Sequence, residues 1–239
     1  MNANLRSTSA VLGFPRIGPQ REVKKALEAY WGDKISAEEL LKVAKEQRLN
    51  TYATIKEQGV DFVPTGTFSL YDHVLDMSNT LGIIPEAYAT SGLSQLDTYF
   101  AMARGHQKGG VDLPATEMKK WFDSNYHYLV PEFSEKSEFK LNDNKPVDDF
   151  IEAKEAGYNA RPVILGPLTL LWLGKTSKDA QDPNFNRYSL LPKLAQTYVQ
   201  LFEKLAAAGA PWVQLDEPIL VVDTAKPVSY THLTLPTIC

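Results

Sequence analysis

The feature that most constrains the fold is a unit that occurs three times along the chain. An amphipathic stretch ends in glycine (Gly59, Gly157 and Gly209), and a short apolar run begins a few residues later. A glycine just past a helix takes the left-handed backbone conformation that other residues resist. A short apolar run after it is typical of a strand buried on both faces of a parallel sheet. The sequence therefore predicts an α/β fold. The three runs are Val60–Val63, Pro162–Leu165 and Trp212–Leu215.

The stretches between these runs carry helical patterns. Ser36 and Glu39 form a capping box at the start of a helix predicted over Ser36–Gln58. Apolar residues from Leu194 to Leu205 recur every three or four positions, which predicts a helix with one buried face. Further helices are predicted over Leu93–Arg104, Glu117–Phe122 and Val147–Ala156.

Each predicted strand ends in polar or Gly-Pro sequence, and Val11–Pro15 is a fourth candidate strand. In α/β barrels and open α/β sheets, ligands bind at the carboxyl ends of the parallel strands. Four strands are half of what a complete (β/α)8 barrel of roughly 250 residues contains. The chain therefore has long insertions, especially between Val63 and Pro162, or holds only part of a barrel.

Composition excludes several classes of protein. The formal net charge of −4 at pH 7 argues against a dedicated nucleic-acid binder, which carries a basic excess. No apolar run approaches the roughly 18 residues of a membrane span, and the first ten residues lack the apolar core of a signal peptide. The single cysteine is the last residue, which suits a reducing compartment. We expect a cytoplasmic protein without nucleic-acid or membrane partners.

The first candidate site follows Gly13-Phe14-Pro15, where a strand end leads into a helix with Arg21, Lys24 and Lys25 in its first turns. Cations at a helix start oppose the helix dipole, so their placement costs some stability. One interpretation is a grip for an anionic ligand, helped by free backbone N–H groups. The other is a solvated charged face.

The second candidate site is Glu117–Tyr128, which combines lysines, Asn125 and several aromatic residues. Such a set can bind a planar ring with a charged tail, or the aromatic residues can belong to the core. The third is the carboxylate pair Asp216-Glu217 at a strand end, which is either a ligand contact or a structural hydrogen-bond acceptor.

A zinc site is not predicted. The four histidines have no metal-binding spacing, and Cys239 stands alone at the end of the chain. The histidines are His73, His106, His127 and His232.

Five stretches, in order from about Ala10 to Asp223, resemble the cobalamin-independent methionine synthases. They are Leu12–Lys25, Tyr71–Leu75, Lys120–Tyr128, Arg161–Pro167 and Val213–Pro218. The details Pro19-Gln20-Arg21-Glu22 and Trp121-Phe122-Asp123-Ser124-Asn125 resemble the fungal branch. This resemblance implies transfer of the N5-methyl group of 5-methyltetrahydropteroyltri-L-glutamate to homocysteine, in a protein of two (β/α)8 barrels.

The resemblance also implies a domain assignment and a binding site. Residues 1–224 are expected to form the first half, about four strands, of the amino-terminal barrel. Residues 225–239 resemble a non-native tail. The side chains expected to contact the folate polyglutamate are Arg21, Glu22, Val23, Lys24, Lys120 and Asn125.

The remaining expectations concern what this chain lacks. The family uses zinc and no cobalamin, and its zinc ligands and homocysteine site belong to the second barrel. We therefore expect no catalytic or metal-binding residue here, Asp216 included, and no activity from this chain alone. The alternative is a non-catalytic module that binds folyl-polyglutamate.

Overall fold

The computed structural model of the protein describes residues 7–223, which contain eight α-helices and nine strands. The helices are α1 (Glu22–Trp31), α2 (Ala37–Glu57), α3 (His73–Thr80), α4 (Glu86–Ala89), α5 (Gln95–Arg104), α6 (Lys145–Glu155), α7 (Pro167–Leu173) and α8 (Leu191–Ala207). The strands are β1 (Val63–Thr65), β2 (His106–Lys108), β3 (Val111–Leu113), β4 (Met118–Lys120), β5 (His127–Leu129), β6 (Glu132–Phe133), β7 (Ala160–Leu165), β8 (Lys175–Thr176) and β9 (Gln214–Asp216).

The centre of the fold is a parallel sheet with the strand order β1-β7-β9. Thr65 lies beside Pro162, and Leu165 lies beside Asp216, so the carboxyl ends of all three strands share one edge of the sheet. On the outer side of β1, Ala10 forms an isolated parallel bridge with Phe62. The α/β prediction is confirmed. A closed barrel is not seen within residues 7–223. The fourth strand predicted over Val11–Pro15 does not form there; only Ala10, just before it, makes this single bridge.

The insertion between β1 and β7 holds most of the remaining elements. Two antiparallel hairpins, β2-β3 and β4-β5, lie there together with α3 to α6, and β6 pairs in parallel with β8. The segment predicted as a helix over Glu117–Phe122 is instead strand β4, which is a correction to the sequence analysis. Its backbone bonds to β5, with Lys119 beside Tyr128. Met118, Trp121 and Phe122 have the spacing of one helix face, but a segment this short is not stable as a helix by itself, and pairing with β5 satisfies its backbone.

The predicted helix ends, the capping box and the apolar face of the last helix are confirmed. Gly59, Gly157 and Gly209 have φ angles of 78°, 83° and 89°, as left-handed helix ends require. Ser36 caps α2 with both hydrogen bonds of the capping box, one to and one from Glu39. The predicted apolar face of α8 is buried along its length.

Two apolar cores hold these layers together. The first packs α3, α6, α7 and α8 around the sheet, with Phe133, Leu171 and Leu205 among its fully buried side chains. The second packs α1, α2 and α5, with Val23 and Leu40 at 1% and 0% exposure. None of the helices in residues 7–223 is long and apolar enough to span a membrane. The tail predicted over 225–239, with His232 and Cys239, lies outside the described residues.

Gly66, the residue after β1, gives the sharpest test of this architecture. Its φ is 81°, and a Cβ placed there would stand 2.6 Å from the carbonyl oxygen of Val163 on β7. Gly59 has a similar φ of 78° but open space around it. Both glycine-to-alanine changes incur about 1–2 kcal/mol for the left-handed conformation. We expect Gly66→Ala to lower the free energy of unfolding by roughly 1–3 kcal/mol more than Gly59→Ala, because β1 and β7 must move apart to make room for the methyl group. Urea unfolding followed by circular dichroism measures both, and equal losses would contradict the close approach.

Candidate functional site

A cavity of about 470 Å³ lies at the carboxyl ends of the parallel strands. Gly66, Leu165 and Asp216, at or next to the ends of β1, β7 and β9, line it. Helix α3 contributes His73 and Asp76. The site is therefore built where the sequence analysis expected ligands, at one edge of the parallel sheet.

The loop that precedes α1 forms one wall of this cavity, from Leu12 to Arg16. The guanidinium of Arg16 donates a hydrogen bond to the backbone carbonyl of Tyr71, which ties the loop to the segment that enters α3. The loop ends at Arg21, the N-cap residue of α1, in the left-handed conformation with φ 61°. The first candidate motif thus reaches the cavity through Arg16 rather than through its helical cations.

The tip of the β4-β5 hairpin forms another wall, with Trp121 and Tyr126. The His73 ring stacks on Tyr126 at a centroid distance of 5.5 Å and meets the Trp121 ring edge-on at 4.4 Å. Two other aromatic residues of the same motif have structural roles. Phe122 stacks on Trp172 at 5.1 Å, and the Tyr128 hydroxyl donates a 3.0 Å hydrogen bond to the carbonyl of Leu173.

Asp72 fixes the hairpin against α3. Its carboxylate accepts hydrogen bonds from the N–H groups of Val74 and Leu75 at the start of α3, and from the N–H of Leu129 on β5. Burial raises the pKa of Asp72 to about 7, although the three N–H donors favour the charged form. The aromatic wall of the cavity is thus positioned by one buried carboxyl group.

The floor of the cavity carries charged groups that are already paired in part. The Lys145 ammonium lies 2.7 Å from Oδ2 of Asp149 and 2.8 Å from the carbonyl of Phe68. It is 3.6 Å from Oδ2 of Asp76, whose other oxygen accepts a hydrogen bond from the Tyr99 hydroxyl. Burial would lower the pKa of Lys145, but Asp149 and Asp76 outweigh it and raise the pKa. Lys145 is therefore a positively charged residue of the cavity floor, held in place by these contacts.

His73 is the titratable group at the centre of the cavity. Burial lowers its pKa to about 4; the charge of Arg16 also lowers it, while Asp76 and Asp216 act in the opposite direction. The imidazole is therefore neutral at neutral pH and presents a ring nitrogen, Nδ1, 3.4 Å from the Tyr126 hydroxyl.

None of the six side chains predicted to contact folate lines the cavity. Four of them, Arg21, Lys24, Lys120 and Asn125, are exposed. Lys120 and Asn125 adjoin the cavity residues Trp121 and Tyr126 in sequence, whereas Arg21 and Lys24 follow Arg16 by five and eight residues. Lys24 lies 3.7 Å from Glu28, four residues further along α1. Their role in binding stays a prediction.

The other two predicted contacts have structural partners. The Val23 side chain is 1% exposed in the second core, and its N–H donates to the carbonyl of Ile17. The Glu22 carboxylate accepts a 3.0 Å hydrogen bond from the N–H of Gln20. Both residues shape the turn into α1.

Sequence analysis missed Arg16, Asp76 and Lys145 as cavity residues. Arg16 stands within the first motif, so its charge next to a strand end was an available signal. Asp76 and Lys145 had no such signal, because they come from helices in the insertion and meet only in the folded chain.

The carboxylate pair at the end of β9 divides into two roles. Glu217 accepts hydrogen bonds from the N–H groups of Leu168 and Thr169 at 2.9 and 2.7 Å, and from the Thr169 hydroxyl at 2.6 Å. It is a structural acceptor for the start of α7. A Cβ on Gly166 would lie 2.0 Å from its carboxyl carbon, so only glycine fits there. Asp216 faces the cavity.

Zinc does not fit the side chains seen here. Within residues 7–223 no group of three or more histidine, cysteine, aspartate or glutamate residues is arranged to hold a metal ion. Asp72 and Asp76, the carboxylates nearest His73 in sequence, are bound to backbone N–H groups and to Tyr99.

Fold and cavity define an α/β domain that holds a polar site at the carboxyl ends of parallel strands. Residues 8–233 match the family model described as the cobalamin-independent synthase, N-terminal domain, and the chain belongs to this family.

Its relatives include both fungal and bacterial proteins. The chain is 54% identical over 226 residues to a probable 5-methyltetrahydropteroyltriglutamate–homocysteine methyltransferase of Schizosaccharomyces pombe, with 92% of this chain covered. It is 53% identical over 221 residues to the methyltransferase of the same name from Saccharomyces cerevisiae, with 90% covered. A bacterial protein of that name, from Chelativorans, is 51% identical with 91% covered. The chain spans 29% of the length of each of these relatives.

A solved structure from Listeria monocytogenes, described as a vitamin-B12-independent methionine synthase, has a similar fold. The TM-score is 0.57 at 16% sequence identity, and the alignment covers 95% of this chain and 57% of that chain. At this identity the likeness supports the α/β fold alone.

The lowered pKa of His73 predicts a pH dependence of stability. The folded chain holds the His73 imidazole neutral down to about pH 4, while an unfolded histidine titrates at about 6.5. The contribution of His73 to the free energy of unfolding is therefore complete above about pH 6.5. That contribution is lost as the pH falls from 6.5 towards 4. We expect the His73 ring proton signal in NMR to titrate near pH 4, and we expect His73→Gln to flatten the stability profile in this window. A titration midpoint near 6.5 would show that the ring is solvated.

Proposed function

We propose that this chain is the amino-terminal domain of a methyltransferase that moves the N5-methyl group of 5-methyltetrahydropteroyltri-L-glutamate to homocysteine. Membership of the cobalamin-independent synthase family supports the proposal, as do relatives at 51–54% identity that are named for this reaction. Because the chain spans 29% of their length, the complete reaction belongs to the longer protein.

Within that protein, we assign this chain to the folate polyglutamate. The observation that carries the assignment is that the two segments predicted to contact folate flank one cavity, the first through Arg16 and the second through Trp121 and Tyr126. Cations of both segments, Lys24 and Lys120 among them, are exposed. Exposed cations on the segments that flank a cavity suit the several carboxylates of a triglutamate tail.

Other parts of the reaction are assigned to the remainder of the longer protein. No metal cluster exists in residues 7–223, so we place the zinc and the homocysteine site outside them. We propose that the parallel strands are part of a (β/α)8 barrel completed by further chain, and that the protein is cytoplasmic, as its cysteine content suits. The chain alone is then inactive.

The contribution of the tail contacts is modest. Each exposed ion pair is worth roughly 0.2–1 kcal/mol, so three tail carboxylates add about 0.6–3 kcal/mol. This corresponds to roughly 3- to 150-fold in affinity. Such contacts increase the affinity of a complete site and do not create one.

Tryptophan fluorescence titration of this chain with methyltetrahydrofolate triglutamate and monoglutamate tests the tail site. Trp121 lies in the cavity wall and provides the signal. We expect the triglutamate to bind more tightly, and Lys24→Ala to reduce the ratio of the two affinities by up to about fivefold. Lys56→Ala, an exposed lysine at the end of α2, is the matched control and leaves the ratio unchanged.

Two outcomes of this titration count against the assignment. Equal affinity for both ligands would remove the tail site. A ratio that falls equally in Lys24→Ala and Lys56→Ala would show a general charge effect. Circular dichroism confirms that each variant is folded. Binding in the absence of any methyl transfer in the chimaera below would favour a non-catalytic binding module.

A chimaera tests the reaction itself. Residues 8–223 of this chain replace the matching segment of the Saccharomyces cerevisiae relative, to which the chain is 53% identical. We expect the purified chimaera to form methionine from homocysteine and the triglutamate donor, and this chain alone to form none. The unmodified yeast protein is the positive control. A folded, zinc-loaded chimaera without activity would contradict the proposed domain role.

A further inference from the structure

Two polar atoms at the cavity have no hydrogen-bond partner. Ser69 is 1% exposed and lines the cavity, and its hydroxyl oxygen makes no hydrogen bond within residues 7–223. Oδ2 of Asp76 is also buried without one; Lys145 lies 3.6 Å away and donates elsewhere. Buried polar groups are normally satisfied, and an unpaired one costs about 1–3 kcal/mol. Because both side chains line the cavity, a ligand with hydrogen-bonding groups can pair with them there.

Charges of opposite sign face this space. Arg16 uses one N–H group on the carbonyl of Tyr71 and makes no other hydrogen bond within the described chain. Asp216 lines the cavity on the side of β9, and its Oδ1 accepts a hydrogen bond from the nearby Gln214 side chain. Arg16, Asp76 and Asp216 line the same cavity as His73. With Lys145 included, the wall holds two cations and two carboxylates, which suits a ligand of zero net charge with separated charges.

Part of the remaining wall is apolar, although Thr67, Thr80, His73 and Tyr126 also line it. Met77 on α3, Val163 and Leu165 on β7, and the Trp121 ring contribute to it. The cavity volume of about 470 Å³ is ample for a small molecule. A ligand with a dipolar head and an apolar side chain would satisfy both kinds of wall.

We propose that this cavity binds a free α-amino acid with an apolar side chain, its carboxylate on Arg16 and its ammonium between Asp76 and Asp216. Ser69 supplies a further hydrogen bond to the head group. The Trp121 and Met77 side chains contact the apolar part. This site lies in the cavity that the two folate-contacting segments flank, but it uses none of the six side chains predicted to contact folate, and it does not rest on the proposed function.

Isothermal titration of the 239-residue chain with L-leucine tests the site. Isoamylamine is leucine without the carboxylate, and 4-methylpentanoate is leucine without the ammonium group. Because a charge-assisted hydrogen bond is lost in each, we expect both to bind at least about tenfold more weakly than leucine. Leucine that binds no better than either analogue, or not at all, overturns the proposal whatever the variants show.

Variants then assign each end of the ligand. Asp216→Asn weakens leucine and isoamylamine by about tenfold and leaves 4-methylpentanoate unchanged, since only the first two carry an ammonium group. Arg16→Gln weakens leucine and 4-methylpentanoate by about tenfold and leaves isoamylamine unchanged, since only the first two carry a carboxylate. Asp112→Asn on exposed β3 is the matched control and changes nothing. A variant that weakens all three ligands equally, in a chain folded by circular dichroism, would contradict the assignment of that charge.

Discussion

The backbone of β7 pairs in parallel with two neighbours, β1 on one side and β9 on the other. All six of its residues are buried, so the strand has no solvent face and its polar groups must be satisfied by these neighbours. Parallel pairing brings the three carboxyl ends to one edge. The loop before α1, helix α3 and the β4-β5 hairpin then close around that edge. The position of the cavity follows from this one pairing scheme.

A second level of organisation is electrostatic. Arg48 on α2 forms a two-point ion pair with Glu152 on α6, at 2.7 and 2.9 Å. Asp149, one turn earlier on α6, lies 3.7 Å from Arg48 and 2.7 Å from Lys145 at the cavity. These groups are largely buried, so removing one partner would leave an uncompensated charge. The network joins the helix layer of the second core to the cavity floor.

The sequence was informative wherever a structure depends on neighbouring residues. The capping box of Ser36 and the left-handed glycines involve contacts within a few positions, and they were predicted correctly. The segment over Glu117–Phe122 was wrong as a helix because its state is decided by pairing with β5. Asp76 and Lys145 could not be assigned to the site, since they lie far apart in the sequence and come together only in the folded chain. The stretches that carry the family resemblance contain the cavity residues Arg16, Trp121 and Tyr126, while the six predicted folate contacts lie outside the cavity lining and stay a prediction.

Gly166 and Glu217 show how two residues far apart in the chain constrain each other. The carboxyl group of Glu217 occupies the space in which any Cβ at position 166 would stand, and it satisfies the backbone at the start of α7. Neither position is free to vary alone: a larger residue at 166 displaces the carboxylate, and a shorter one at 217 leaves buried N–H groups without an acceptor. The two positions are therefore energetically coupled, so the effects of substitutions at both do not simply add.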